Sequence, residues 1–593
     1  MPGVHPGGRR PARILALLAV AGALLTGAAP AVAQLPSGRT GYRTLADYEA
    51  DLARLAATAP QAVRAFTLPQ RTLLGREVRG VEIARDVHAA DGRPVLAVLG
   101  LHHAREWPSG EVTMEWAIDL LQRLRRGDPR VQRLLGAARV VVVPVVNPDG
   151  FHVSRSVGGA LEHKRKNCRV ADGQTPTAAQ CEDPANRELG VDPNRNFGAT
   201  WGGPGASLDP AGETYRGPAP FSEPETANVR DLLTGRQVTV LVTNHTYGDA
   251  LLRPPSAFAT PPPPDAALLE RLGERMARPA GLRNLTAAEL GEGTGGTDDW
   301  AYWSLGSLAY TPEIGADLGG LPRAFHPEFS TVVDRYAGLR RAFTIALEAA
   351  ADPDHHAVVA GRATPGATLE LSRTSTTATW PVLDSRGIEG APLAFPEVVR
   401  TTMRAPSSGR FAVHANPSTP PAAQGHPGRA AQGPLPDPVA AAAGGMTALA
   451  AGGAARQRFT IRPGDDAALG DVRVTWAQPR RQPGFAVYRL DDEDGDGRRR
   501  VAVGRPLTAT LQHATLHASR WNAPLAPGRY EVVMTAGERP NAAQATVSFR
   551  GPQPPAGPTP EAWTLRCRVG DAVAGERQVR VARGQRVDVG ALC

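Results

Sequence analysis

The chain has 593 residues and a mass of 62.4 kDa, too long for one ordinary core, so several domains are expected. Apolar residues make up 42% and charged residues 21%, and a mean hydropathy of -0.26 with one long apolar run excludes a multispanning membrane protein. A net charge of +8 invites a nucleic-acid reading, but the only lysines are Lys164 and Lys166. The arginines are scattered and no basic stripe is interleaved with aromatics, so no nucleic-acid partner is expected.

Arg9, Arg10 and Arg13 precede an apolar stretch over residues 14–25, and Ala31-Val32-Ala33 follows. This is the pattern of a cleaved signal peptide over residues 1–33, and the apolar run is shorter than the roughly 20 residues a membrane span needs. A secreted protein is expected. Four cysteines then imply two disulfides in an oxidising compartment. Of the three possible pairings, the local one, Cys168 with Cys181 and Cys567 with Cys593, is favoured.

Residues 41–351 alternate strand-like and helix-like segments. Residues 45–55 read as a helix with Thr44 as N-cap. Residues 95–99 are a continuous apolar run, as in a strand buried on both faces. Val112, Trp116, Leu120 and Leu124 recur every four residues on a helix that starts near Pro108. Further buried strands are expected at 140–146, 238–242 and 307–311, and an amphipathic helix at 332–347 closes the unit. The expected fold class is α/β, a mixed, mostly parallel sheet covered by helices.

The texture then changes. Residues 356–415 read as a β-rich module and 416–457 as an Ala/Gly/Pro-rich linker. A β-sandwich-like module is expected at 458–550, a Pro-rich linker at 551–560 and a short Cys-enclosed unit at 561–593. The acidic run 492–497 has the look of a calcium loop, but Val503 stands where such a loop needs a bidentate Glu, so a polar hairpin turn is preferred. His355, His356 and His414 read as interdomain surface.

His103 and Glu106 follow the strand at 95–99, and His245 follows the strand at 238–242. Ligands bind at the carboxyl ends of strands in open α/β sheets, and two imidazoles with one carboxylate suit a compact divalent metal such as zinc. His102 is the rival to His103. No His-Glu-x-x-His helix is present.

Gly100-Leu-His-His-Ala-Arg-Glu-Trp107 resembles the metal-binding segment of zinc carboxypeptidases of the pancreatic A and B type. Asn147-Pro-Asp-Gly-Phe151, Val191-Asp-Pro-Asn-Arg-Asn-Phe197, Asn244-His245-Thr-Tyr247, Gly295-Gly-Thr-Asp-Asp-Trp300 and Tyr310-Thr-Pro-Glu313 resemble five further segments of that family, in family order. The resemblance implies one zinc held by His103, Glu106 and His245. It implies Glu313 as general base, Arg165 stabilising the oxyanion, and Asn194 with Arg195 clamping the terminal carboxylate of peptide or protein substrates. Arg105 and Tyr247 would line the substrate path, and Asp298 with Ser256 would form a side-chain pocket for basic or mixed residues. Where the family carries a tyrosine on a mobile loop this chain has Gly291, with no tyrosine between Tyr247 and Tyr302. With few residues between the expected cleavage site at residue 33 and Tyr42, no large inhibitory prosegment is expected.

Two alternatives stay open: a catalytically silent adhesion protein whose C-terminal modules bind cell wall or extracellular matrix, and a related zinc amidohydrolase or cell-wall peptidase. The segment beyond residue 355 is expected to supply neither ligand nor catalytic group.

Overall fold

The computed structural model describes residues 34–257, 260, 263–316, 324–383, 389–420, 447–450, 453–461, 471–476, 484–490, 500–504, 513–517, 528–535, 541–548 and 560–593. The expected signal peptide and the acidic turn at 492–497 lie outside them. The main sheet has eight strands: β1 (Val63–Thr67), β2 (Arg79–Ile83), β3 (Val95–Leu99), β4 (Arg139–Val143), β5 (Val238–Thr243), β6 (Ala250–Arg253), β7 (Arg283–Thr286) and β8 (Leu308–Glu313). Their order is β1-β2-β4-β3-β5-β8-β6-β7. The valine-rich β3, β4 and β5 are buried at every position, as strands covered on both faces must be.

The four central strands β4, β3, β5 and β8 run parallel, with Leu99 paired to both Val143 and Thr243. β4 lies on one side of β3 and β5 on the other, so the chain reverses its direction of travel across the sheet at β3. The crevice outside the carboxyl ends of β3 and β5 is therefore a topological switch point, where this architecture opens a site.

Helices cover the sheet. Leu45–Thr58 starts as expected at Thr44, whose hydroxyl accepts from Asp47 N while Asp47 Oδ2 accepts from Thr44 N, a closed capping box. Trp107–Arg125 buries Val112, Trp116 and Leu120, and Phe329–Ala351 extends the helix expected at 332–347 by a few residues at each end. Gly100 lets the end of β3 come close to the start of Trp107–Arg125. A Cβ there would lie 2.8 Å from Thr113 Oγ1 and 2.9 Å from Pro144 O.

The strand expected at 140–146 stops at Val143, because Pro144 has no N–H for the ladder and the chain turns there. β1, β2, β6 and β7 escaped sequence reading. Each is four or five residues long and lies towards a sheet edge, which leaves little periodicity to detect.

Beyond Ala351 the chain is all β. Strands Ala357–Arg362, Thr368–Leu383, Glu389–Arg404 and Arg410–Ala415 do not stand alone. Glu561–Val569 pairs with Thr368–Leu383, and Arg586–Ala591 pairs with Ala357–Arg362. The terminal segment expected as a separate unit thus completes two sheets begun about 200 residues earlier, with Trp563 and Cys567 fully buried between them. Two four-stranded sheets from residues 447–548 occupy the interval. Both disulfides form the local pairs, Cys168–Cys181 and Cys567–Cys593. No helix among the described residues is long and apolar enough to cross a membrane.

The first β unit packs on the α/β unit through polar contacts as well as apolar ones. Trp300 Nε1 donates to Glu397 Oε1 at 2.9 Å, Trp380 N donates to Trp201 O at 3.0 Å, and Arg583 pairs with Asp265 at 3.0 Å. His356 and His414 are not surface residues. His356 is fully buried, its Nε2 lies 2.5 Å from His414 Nδ1, and burial pushes both imidazoles below their usual pKa, to about 2 and about 4.

Candidate active site

At the switch point, His103 and Glu106 descend from the end of β3 and His245 from the end of β5. His103 Nδ1 lies 2.7 Å from Glu106 Oε1, and His245 Nδ1 lies 3.0 Å from Glu106 Oε2 and 3.0 Å from His103 Nδ1. All three side chains are at least 95% buried. Burial works against the Glu106 carboxylate, yet His103 and His245 hold it far below its usual range.

The donor chemistry fits a cation. His103 Nε2 lies 3.0 Å from Asp192 Oδ1, an acceptor only, so the ring's proton belongs on Nε2 and its Nδ1 lone pair faces inward. A carboxylate and an imidazole lone pair converge there with a second imidazole, a set with surplus electron density that a divalent ion satisfies. His102 does not join. Fully buried, it faces Thr243 and Thr297 hydroxyls at 3.3 and 3.2 Å and stacks on His245.

Glu313 ends β8. His245 N donates to Pro312 O and Ile314 N to His245 O, which binds the two chain segments side by side. Burial, with Glu106 adding to it, pushes the Glu313 carboxyl up to about 8 against the pull of His245, Arg165 and Arg195.

Arg165 donates from Nε and Nη2 to Asp192 Oδ2 at 2.9 Å, and its Nη1 stands 3.6 Å from Glu106 Oε1. Asp192, which sequence reading left without a role, therefore holds His103 with one oxygen and Arg165 with the other. Burial opposes its charge, but Arg165 and His103 keep it well below the usual carboxylate range. A buried Asp between a histidine-bearing turn and a basic run carries a signal only if the fold is known.

Asn194 and Arg195 sit in the turn Pro193–Arg195. Asn194 Oδ1 accepts from the backbone N and the hydroxyl of Thr297, each at 2.9 Å. Arg195 Nη1 donates to Asn194 O at 2.8 Å, and its guanidinium lies so close to Gly293 that a Cβ there would stand 2.8 Å from Nη2. Arg105 donates to Glu213 Oε1 at 2.5 Å and lies 4.1 Å over the Phe325 ring, against which Tyr247 packs edge-on at 5.0 Å. Gly291 follows the short helix Ala287–Leu290.

The acidic pair on Thr297–Leu305 divides its contacts. Ser256 was expected as a polar wall of the pocket whose base is Asp298. Its hydroxyl and backbone N donate to Asp299 Oδ2, which Thr200 Oγ1 also approaches at 3.4 Å. Asp298 is 5% exposed and accepts from Thr311 Oγ1 at 3.3 Å. Burial raises both carboxyls, and the charge of Asp298 helps push Asp299 up to about 7.

A zinc carboxypeptidase family model matches residues 48–331. Over that region the chain is similar to the zinc carboxypeptidases. Carboxypeptidase A2 of Rattus norvegicus is 28% identical over 269 residues, covering 44% of this chain and 59% of its own. Carboxypeptidase B of the same species is 29% identical over 284 residues, covering 46% of this chain and 63% of its own. The chain thus spans about three-fifths of the length of these curated relatives. The crystal structure of the carboxypeptidase A from Helicoverpa armigera is 24% identical with a TM-score of 0.45, covering 54% of this chain and 76% of that one.

Proposed function

We propose that the zinc carboxypeptidase region releases C-terminal residues from peptides or proteins, with zinc held by His103, Glu106 and His245. The convergence of those three side chains, backed by Asp192, carries the reading. Bound there, zinc supplies a Lewis acid and brings the pKa of a coordinated water towards roughly 7. Glu313 accepts the proton of the attacking water and returns it to the leaving amine. The Arg165 guanidinium, fixed by two bonds to Asp192, is preorganised for the charge that develops on the carbonyl oxygen. Arg195, with Asn194 anchored on Thr297, offers paired donors to a terminal carboxylate, which distinguishes a chain end from an internal bond. Arg105 and Tyr247 line the path of the preceding residues.

Asp298 sets the side-chain preference. Burial makes the Asp298 carboxylate costly to keep charged, although the backbone N–H groups at 298–299 and the Thr311 hydroxyl support it, and a basic side chain relieves the remaining cost. Basic or mixed C-terminal residues are the proposed substrates. Ser256, donating to Asp299, serves as a polar wall of this pocket. Export from the cell completes the reading.

The test measures bound zinc and the release of C-terminal amino acids from peptides before and after chelation. Activity that needs stoichiometric zinc and ends at the chain terminus is expected. Folded protein that takes up no zinc, or that cleaves only internal bonds, overturns the reading.

A further inference from the structure

Among the described residues, a second trio brings imidazole nitrogens and a carboxylate within 4.8 Å of one another: Glu162, His163 and His326. Glu162 and His163 follow the turn Gly159–Leu161, and His326 precedes the helix Phe329–Ala351. Glu162 Oε1 lies 3.7 Å from His326 Nδ1. The His326 ring stacks on Trp107 at 3.8 Å between centroids and on His163 at 4.9 Å.

The hydrogen-bond accounting is incomplete at this trio. The side chain of His326 is 90% buried, yet its ring nitrogens make no well-formed hydrogen bond: the Glu162 carboxylate stands 3.7 Å away and the Arg105 backbone carbonyl is the other polar group facing the ring, while His163 Nδ1 is without a partner. A buried imidazole held only by long or poorly aligned polar contacts recovers little of the solvation it gives up. The surroundings are nonetheless well ordered. Trp107 Nε1 donates to Ser154 Oγ at 3.1 Å, and Ser154 Oγ donates to Glu162 O at 2.5 Å, so the platform beneath His326 and the backbone of Glu162 are tied together.

We propose that Glu162, His163 and His326 form a second site for a divalent transition metal beside the catalytic cleft. Two imidazoles and a carboxylate suit zinc, nickel or copper(II), and disfavour calcium or magnesium, which take oxygen ligands. The Glu162 side chain is 41% exposed, which leaves the open side for water ligands. The site is weaker than the one at His103, because two cations stand near it. Arg155 lies 4.9 Å over the Trp107 ring, and Arg105 covers Phe325, the residue before His326. Occupancy joins the turn at 159–163 to the segment carrying Phe325, which packs on both Arg105 and Tyr247. A metal here stiffens one wall of the substrate path.

Metal-stripped protein titrated with zinc by calorimetry and equilibrium dialysis tests this. Two equivalents are expected, the second weaker. His326→Asn, and separately the more exposed His163→Asn and Glu162→Gln, should weaken the second event at least tenfold and spare the first. His103→Ala should remove the first and spare the second, so failure at the catalytic cluster is read separately. In the His103→Ala protein, copper(II) should give an electron paramagnetic resonance spectrum with coupling to two nitrogens. One equivalent in the wild type, or a second equivalent that survives both histidine substitutions in folded protein, overturns the proposal.

Discussion

Asp192→Asn isolates the residue that joins His103, a proposed zinc ligand, to Arg165, the proposed oxyanion donor. The wild-type carboxylate accepts from His103 Nε2 through Oδ1 and from Arg165 through Oδ2. An amide of the same size has one acceptor atom for these two donors. If its oxygen faces Arg165, its NH2 faces His103 Nε2, which must then accept. The ring proton moves to Nδ1 and the histidine no longer offers that atom to a metal. If the oxygen faces His103, two donors oppose each other at Arg165. Loss of an outer carboxylate on a metal-binding histidine typically weakens metal affinity about 10- to 100-fold, or about 1.4–2.7 kcal/mol. Zinc affinity measured against a competing chelator should fall by that amount. Alternatively, with zinc affinity kept, kcat at saturating zinc should fall about 100-fold or more, the scale for losing one preorganised oxyanion donor. Affinity and kcat both within twofold of wild type would refute the coupling.

Glu313→Gln should retain the zinc of wild type in metal analysis while turnover falls below detection. For substrate choice, Asp298→Ala should lower kcat/KM for peptides ending in Arg relative to Leu by about 5- to 150-fold, the value of a charge-assisted contact of about 1–3 kcal/mol. A wild type that prefers Leu, with an unmoved ratio, excludes the assignment. Glu225 is fully buried with Oε1 unpartnered, and burial together with Glu223 pushes its carboxyl from 4.5 up to about 8. The native state therefore favours the protonated form. Stability from this group is fully present below pH 4.5, is lost at up to about 1.4 kcal/mol per unit as pH rises towards 8, and is level above. Glu225→Gln should raise the urea midpoint at pH 8 and leave it unchanged at pH 4.5. Glu397→Ala leaves the Trp300 indole N–H buried without its 2.9 Å acceptor, and should cost about 1–3 kcal/mol in denaturant unfolding.

Legibility in the sequence followed the distance over which each feature is encoded. β3, β4 and β5 announce themselves as unbroken apolar runs, and the capping box at Thr44 is complete within four residues. His103 and Glu106 share one turn, so their chemistry is visible as a local motif. Asp192 was quoted within a motif yet carried no assignment, because its partners are 89 and 27 residues away. The same limit hid the contact of His356 with His414, 58 residues apart. It also hid the pairing of Glu561–Val569 with Thr368–Leu383 across a low-complexity stretch. Ser256 shows a finer limit. Counting from His245 brings it to the acidic pair, but only the helical rotation between adjacent positions decides whether Asp298 or Asp299 meets its hydroxyl.

The C-terminal β unit holds the helix that carries Asp298, the residue proposed to set the side-chain preference. The segment Thr297–Leu305 is anchored from the cleft side by Asn194 at Thr297 and by Ser256 and Thr200 at Asp299. From the other side, Glu397 holds Trp300 and the Arg373 guanidinium donates to Ser304 O, both from strands beyond residue 367. Trp300 is fully buried, stacked on Phe197 and edge-on to Phe221, while Phe221 meets Phe395 of the β unit at 6.0 Å. A carboxylate that discriminates by charge must be fixed to a few tenths of an ångström. Asp298 lies two residues from Trp300 on the same helix, so its position is set jointly by parts of the chain about 100 residues apart. Ending the chain near Asp352 would strip this outer support and leave Trp300 and Phe221 facing water. The β unit therefore braces the helix that carries Asp298 through Trp300 and Ser304.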